Sequence, residues 1–309
     1  MLDPAHTPVR LLEWLPADNL SNSLTGSYGT VFLGRLSSSS STDPQVFAVK
    51  SSKLESSRSL RVEGRILNQL RGCPYIVQCF GDDTSLEHEE VVYNLLLEYA
   101  PGGSLESLIK SRPGNIMEFE ISFYAYQLLK GIEEVHCWRL VHCDLKPANV
   151  LVFPCGCGVN RLKIADFGLA KPSGVNIFGV VTGGCIVVEM ITGNPPDAFL
   201  NIAFKKPEIP EGISNSCKDF LEMCFARNPS TRWTAPMLLN HPFVANEFNL
   251  RLGKKLEDHH QVNSPFGFEG WCSTTCLFST RIRTCSSRPS ASNQPALFHQ
   301  KMKTVILGH

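Results

Sequence analysis

The pattern of apolar and polar positions changes period near residue 100. Upstream, short β-prone runs dominate: Gly29–Leu36, Val46–Lys50 and Val91–Glu98 have strand length and strand composition. The stretch Ser37–Ser41, followed by Thr42, Asp43 and Pro44, separates the first two and reads as a loop. One helix is predicted among them, over Ser59–Leu70, where Leu60, Ile66, Leu67 and Leu70 share a face. Beyond Pro101-Gly102-Gly103 the period lengthens. Ile121, Ala125, Leu128, Ile132 and Val135 line one helical face, with Gly131 the only weak position. Two β-like runs follow, Val150–Phe153 and Leu162–Ala165, with a Cys/Gly loop between them. Ser216–Phe225 and Leu238–His241 read as helical, with Thr234 as an N-cap and Pro236 in the first turn. No internal repeat is visible. The pattern predicts an α+β architecture, a β-rich lobe followed by a helical one with a cleft between them.

Composition narrows the reading. The chain has 309 residues, 43% of them apolar, with 29 basic against 29 acidic residues. That is enough chain and enough apolar content for a large folded core, and too little charge for a mostly disordered protein. Neutrality argues against a nucleic-acid or membrane-surface binder. The balance is uneven, however. From Trp271 onward there are Arg281, Arg283, Arg288, Lys301 and Lys303 and no acidic residue, which reads as a disordered basic tail. The first residues lack the apolar run of a signal peptide, and Gly179–Met190 is too short for a bilayer span and contains Glu189. The 12 cysteines therefore read as reduced thiols in the cytoplasm or nucleus. Cys155/Cys157 and Cys272/Cys276 lack the paired spacing of a zinc site.

Four segments carry candidate chemistry. In Thr25-Gly26-Ser27-Tyr28-Gly29-Thr30-Val31, two glycines between strand-like runs can let backbone N–H groups approach phosphates, although most glycine turns are only turns. In Phe47-Ala48-Val49-Lys50, the lysine is either a snorkelling edge residue or a partner for a carboxylate, with Glu63 the best candidate. His142-Cys143-Asp144-Leu145-Lys146-Pro147-Ala148-Asn149 offers a base, a cation and a metal-binding amide on one loop. Leu162-Lys163-Ile164-Ala165-Asp166-Phe167-Gly168 brings an acidic residue to a strand end before a glycine, suited to a divalent cation.

In this order and spacing the four segments resemble the protein kinase signature, with Lys146 after Asp144 as in serine/threonine kinases. The resemblance is closest to plant MAP kinase kinase kinases. Gly72-Cys73-Pro74-Tyr75-Ile76-Val77-Gln78, Ser216-Cys217-Lys218-Asp219-Phe220-Leu221, Arg232-Trp233-Thr234-Ala235, Leu239-Asn240-His241-Pro242-Phe243-Val244 and Pro265-Phe266-Gly267-Phe268-Glu269-Gly270 carry it, over roughly residues 26–270. It implies a bilobal fold, with residues 10–98 as the ATP-binding lobe, 99–248 as the catalytic lobe and 249–309 as tail. It implies ATP and Mg²⁺ as cofactors and a protein substrate such as a MAP kinase kinase. Gly26 and Gly29 would cover the phosphates, and Val31, Ala48, Leu97, Glu98 and Ala100 would surround the nucleotide. Lys50 would bind phosphate and pair with Glu63. Asp144 would accept the substrate hydroxyl's proton, Lys146 would neutralise the transferred phosphate, and Asn149 and Asp166 would hold the metal.

The sequence also departs from that family. Leu24 stands where a first phosphate-loop glycine is expected, and Pro16–Leu24 does not read as a first strand. Cys143 replaces an arginine that would pair with an activation-loop phosphate. Only Lys171–Gly183 separates Ala170 from Gly184-Cys185-Ile186-Val187-Val188-Glu189-Met190, which already resembles a buried central helix. About thirty residues of activation segment and substrate platform are missing relative to the family layout. Residues 194–204 also look shortened. Arg232, deprived of its usual glutamate, is expected to turn to solvent or another carboxylate. Alternative readings are a nucleotide-binding scaffold without transferase activity, or an altered splice product.

Overall fold

A computed structural model describes residues 12–15, 30–36, 45–155, 158–172, 178–196, 206–228 and 231–258. Gly26, Gly29, Pro16–Leu24, the 37–44 loop, Cys157, most of the shortened 194–204 stretch and the basic tail lie outside them.

The first lobe is one antiparallel sheet of β1 (Leu12–Leu15), β2 (Thr30–Leu36), β3 (Gln45–Lys53), β4 (Cys79–Glu87) and β5 (Glu90–Glu98). Its order is β1-β2-β3-β5-β4. The three runs expected as strands are β2, β3 and β5, with β3 at the centre. The edges β1 and β4 were not expected. Strand β4 carries Asp82, Asp83 and Thr84 on a sheet edge, where charge discourages edge-to-edge pairing and weakens the apolar pattern. Helix α1 (Arg58–Gln69) buries Leu60, Ile66 and Leu67 beneath this sheet, as its periodicity predicts.

Strand alternation divides the side chains of β3 and β5. Phe47, Val49 and Leu96 form a small cluster on one face. Ala48, Leu95 and Leu97 join the main core on the other. Lys50 shares the face of Ala48 and is thereby sent inward.

The second lobe is built on α3 (Glu118–Cys137), with α2 (Leu105–Ser111) ahead of it. Strand β6 (Leu140–Val141) pairs with β9 (Lys171–Pro172), and β7 (Val150–Phe153) with β8 (Arg161–Ile164). Helix α4 (Phe178–Thr192) buries Val180, Val181, Cys185, Ile186, Val187, Val188 and Met190 against α3 and α5 (Asn215–Cys224). Gly131 is needed in α3, because a Cβ there would sit 2.8 Å from Ile164 Cδ1 and 3.2 Å from the Tyr75 carbonyl oxygen. The weak helix position is therefore the point of closest approach between α3, β8 and the turn before β4.

The last helices depart from expectation. Helix α6 spans Ala235–Leu238, with turns continuing to His241. Thr234 stands at its N-cap with an extended backbone, but its side chain makes no capping bond. The lobe boundary at residue 248 is corrected, since α7 (Glu247–Asp258) is a helix packed on α3. Asn249 is fully buried there and donates to Ser122 Oγ at 2.7 Å, and Tyr75 donates to Glu257 at 3.0 Å. Asn249 and Glu257 are polar residues that read as tail but bond to the body of the lobe, Asn249 from inside it and Glu257 from its surface. Among the described residues no helix is long and apolar enough to cross a membrane.

Candidate active site

Two clusters of predicted residues are assembled where the lobes meet. In the first, Lys50 Nζ lies 2.8 Å from Glu63 Oε2 and 2.8 Å from Asp166 Oδ1. Lys50 is only 8% exposed, on the central strand of the sheet, so it is no snorkelling edge residue. Burial alone would lower its pKa, but the Glu63 and Asp166 carboxylates outweigh that and hold it above its ordinary value. Glu63, 1% exposed, is pushed up by burial against the pull of Lys50. The Phe167 N–H also bonds to it. Asp166 is held in the left-handed region at φ 62°, an uncommon backbone for a residue other than glycine.

The second cluster is the loop after β6. Asn149 Nδ2 donates to the Asp144 carbonyl oxygen at 2.8 Å and to Asp144 Oδ2 at 2.9 Å. Lys146 Nζ lies 2.9 Å from Asp144 Oδ2. Cys143, at φ 65°, makes the bend that turns Asp144 away from the chain direction of β6. The two clusters are tied together by backbone. The Ala165 N–H donates to the Asn149 carbonyl at 2.9 Å, and His142 Nε2 lies 2.8 Å from the Ala165 carbonyl. The Asp144 N–H donates to His142 Nδ1 at 3.2 Å, so Nε2 carries the proton and donates to Ala165. Burial keeps the His142 pKa below its ordinary value. Its ring also meets Phe167 edge-on at 4.7 Å.

Strand register sets where the residues expected to surround the nucleotide stand. Val31 stands opposite Lys50, and Ala48 opposite Leu97. Ala100 accepts from the Gly103 N–H in the turn after β5. The Glu98 carboxylate is held by neighbours within the chain. Both oxygens lie 2.7 Å from Lys163 Nζ, and Oε2 also accepts the Gln78 N–H. Lys163 is 2% exposed and was not singled out from the sequence; a lysine inside an apolar strand was the available signal. Arg232 is half-buried, and its guanidinium bonds backbone carbonyls of the preceding turn. It donates to the Ala226 and Arg227 carbonyls, and burial lowers its pKa.

The donor set can be tested against a metal. Asn149 is anchored through its amide nitrogen, which leaves an amide oxygen and the Asp166 carboxylate as hard-oxygen donors. Among the described residues no group of three or more His, Cys, Asp or Glu side chains is gathered for a metal. A hard cation that shares its shell with phosphates and water needs no such group, so the residues fit.

The protein kinase domain family matches residues 25–176, which include all four motif segments. Mitogen-activated protein kinase kinase kinase 20 of Arabidopsis thaliana is 33% identical over 85% of this chain and 90% of its own length. Kinases 17 and 18 of the same series and organism are each 33% identical, covering 72% and 66% of this chain and 68% and 71% of their own lengths. The chain belongs to the protein kinase family. It is a serine/threonine kinase of the MAP kinase kinase kinase type, a family that uses ATP with a divalent metal. In this kinase the matched region ends inside the five-residue link between β9 and α4.

Proposed function

We propose that the kinase transfers the γ-phosphate of ATP to a serine or threonine of a protein substrate, a MAP kinase kinase being the class its relatives' names suggest. The observation that carries this is the Lys50–Glu63–Asp166 contact, which joins residues from both lobes within hydrogen-bond distance. Lys50, oriented by Glu63, would hold the α- and β-phosphates. Asp144, oriented by Asn149, would accept the proton of the substrate hydroxyl as its oxygen attacks phosphorus. Lys146 would hold negative charge at the transferred group. Asn149 and Asp166 would hold Mg²⁺, which when bound neutralises phosphate oxygens. Glycines 26 and 29 would close over the phosphates. The thiols of Cys73, Cys79, Cys143, Cys185, Cys217 and Cys224 are not paired in disulfides, which suits a reducing compartment, cytoplasm or nucleus.

A second reading, a nucleotide-binding scaffold, is favoured by the five-residue link between Pro172 and Phe178, which leaves little chain for a substrate platform. Radiolabelled ATP with Mg²⁺ and an inactive MAP kinase kinase as acceptor separates the two. Transfer is expected, with Asp144→Ala lowering it by about 10²–10⁴-fold. Lys50→Met is expected to remove the thermal shift caused by Mg-ATP. A folded wild type that shows this shift but labels neither acceptor nor itself would leave the scaffold reading standing alone.

A further inference from the structure

Helix α1 must stay docked for Glu63 to meet Lys50, and the structure holds a contact that does this from outside the ion pair. Ser59, in the first turn of α1, donates its hydroxyl to the Gly168 carbonyl oxygen at 3.0 Å, across 109 residues of sequence. This hydroxyl has no part in capping α1. Ser57 occupies the cap position, and its own hydroxyl is used by the Leu54 carbonyl and the Arg61 side chain. Gly168 belongs to the turn Phe167–Leu169, which directly follows Asp166. The fit is close on both sides. A Cβ at Gly168 would lie 2.4 Å from Ser59 Oγ and 3.5 Å from Asp166 Oδ1.

We infer that Ser59 is a positioning residue, a latch that fixes α1 to the turn carrying Asp166 and so sets the Lys50–Glu63–Asp166 geometry. The inference rests on the transferase reading for its effect on rate, but not for its effect on structure. The latch lies wholly within residues 59–168, so it asks nothing of the short link after Pro172. It also asks nothing of residue 143, where Cys143 offers no guanidinium to a phosphate. Helix α1 is thereby held docked by a neutral hydroxyl–carbonyl bond that no modification has to create.

Two readouts test the latch in the full chain. Amide exchange is followed over α1 and over residues 166–169, and transfer rates are measured at varied ATP. For Ser59→Ala, exchange in both segments is expected to speed up about fivefold, the factor that corresponds to one neutral hydrogen bond. Its kcat is expected to fall by a similar factor, with the melting temperature lowered by no more than about 4 °C. Ser59→Thr keeps a hydroxyl and is expected to restore both. Gly168→Ala, which pushes the same elements apart from the other side, is expected to loosen α1 as well. Wild-type exchange in Ser59→Ala over both segments would overturn the latch, whatever the rate does. Faster exchange together with a wild type that transfers no phosphate would uphold the latch and reject the transferase reading.

Discussion

Individual residues show what a buried charge requires of its surroundings. Lys163 has 2% of its side chain exposed, and burial lowers its pKa, yet the two Glu98 oxygens at 2.7 Å keep it paired. Its Nζ also lies 4.9 Å from the centre of the Phe153 ring. Removing one partner of such a pair leaves the other charge without compensation. Lys163→Met is therefore expected to destabilise the kinase in urea unfolding. The loss should fall at or below about 3 kcal/mol, the lower end for a broken buried pair, because Glu98 keeps 25% of its side chain in solvent. Adding Glu98→Gln should return part of the loss, and a double variant less stable than Lys163→Met alone would refute the pairing argument. Legibility at this scale followed chemistry. Lys50, Asp144, Asn149 and Asp166 stood out because their motifs carry them, whereas Lys163 and Ser59 act through single contacts with residues 65 and 109 positions away. A local pattern can flag the lysine inside its strand, but it does not name the distant partner.

Whole elements were legible where apolar residues dominate. Helix α3 buries every residue from Glu120 to Leu129, and β5 buries Tyr93–Leu97 without a break. The edge β4 did not show, because a strand paired on one side needs less apolar surface and gains from polar residues, whereas β1 is only four residues long. Helix α7 had a usable signal, Phe248, Leu252 and Leu256 at intervals of four, which was obscured by the polar residues between them. Packing of α4 against α3 and α5 leaves a small apolar cavity lined by Leu128, Leu129, Ile132, Gly183, Val187 and Phe220. The two adjacent glycines of α4 face different surroundings. Among the described residues, a Cβ at Gly183 would meet only Ile132 Cδ1, at 3.5 Å, an ordinary contact. One at Gly184 would lie 2.8 Å from Phe225 and 2.9 Å from Cys224 Cβ. Gly183→Ala is therefore expected to stabilise by about 0.5–1 kcal/mol, through helix propensity and added contact. Gly184→Ala should destabilise. Unfolding curves with the opposite order would mean that α4 does not sit on α3 as described.

At the scale of the molecule, the nucleotide half and the substrate half part at Ala170. The contacts that join Lys50 to Glu63 and Asp166, and Asn149 to Asp144, are made by residues up to Gly168. Beyond them, β9 ends at Pro172 and α4 begins at Phe178, and six peptide steps reach at most about 20 Å. That length can connect the two elements, but it cannot also form a docking surface for a protein substrate. The far end is fixed, because Val180, Val181 and Cys185 are already buried in the core. Replacing the link 173–177 with the longer corresponding stretch of a related MAP kinase kinase kinase should therefore act on one half only. Nucleotide affinity, measured by calorimetry with Mg-ATP, is expected to stay within about a factor of two, since less than about 0.4 kcal/mol of contact change is involved. Transfer to an inactive MAP kinase kinase is expected to rise by about 10²-fold, the scale on which positioning alone governs rate. If the graft folds and binds Mg-ATP as before but transfer does not rise, substrate docking does not depend on that segment. The surface that receives the protein substrate would then have to lie elsewhere on the helical lobe.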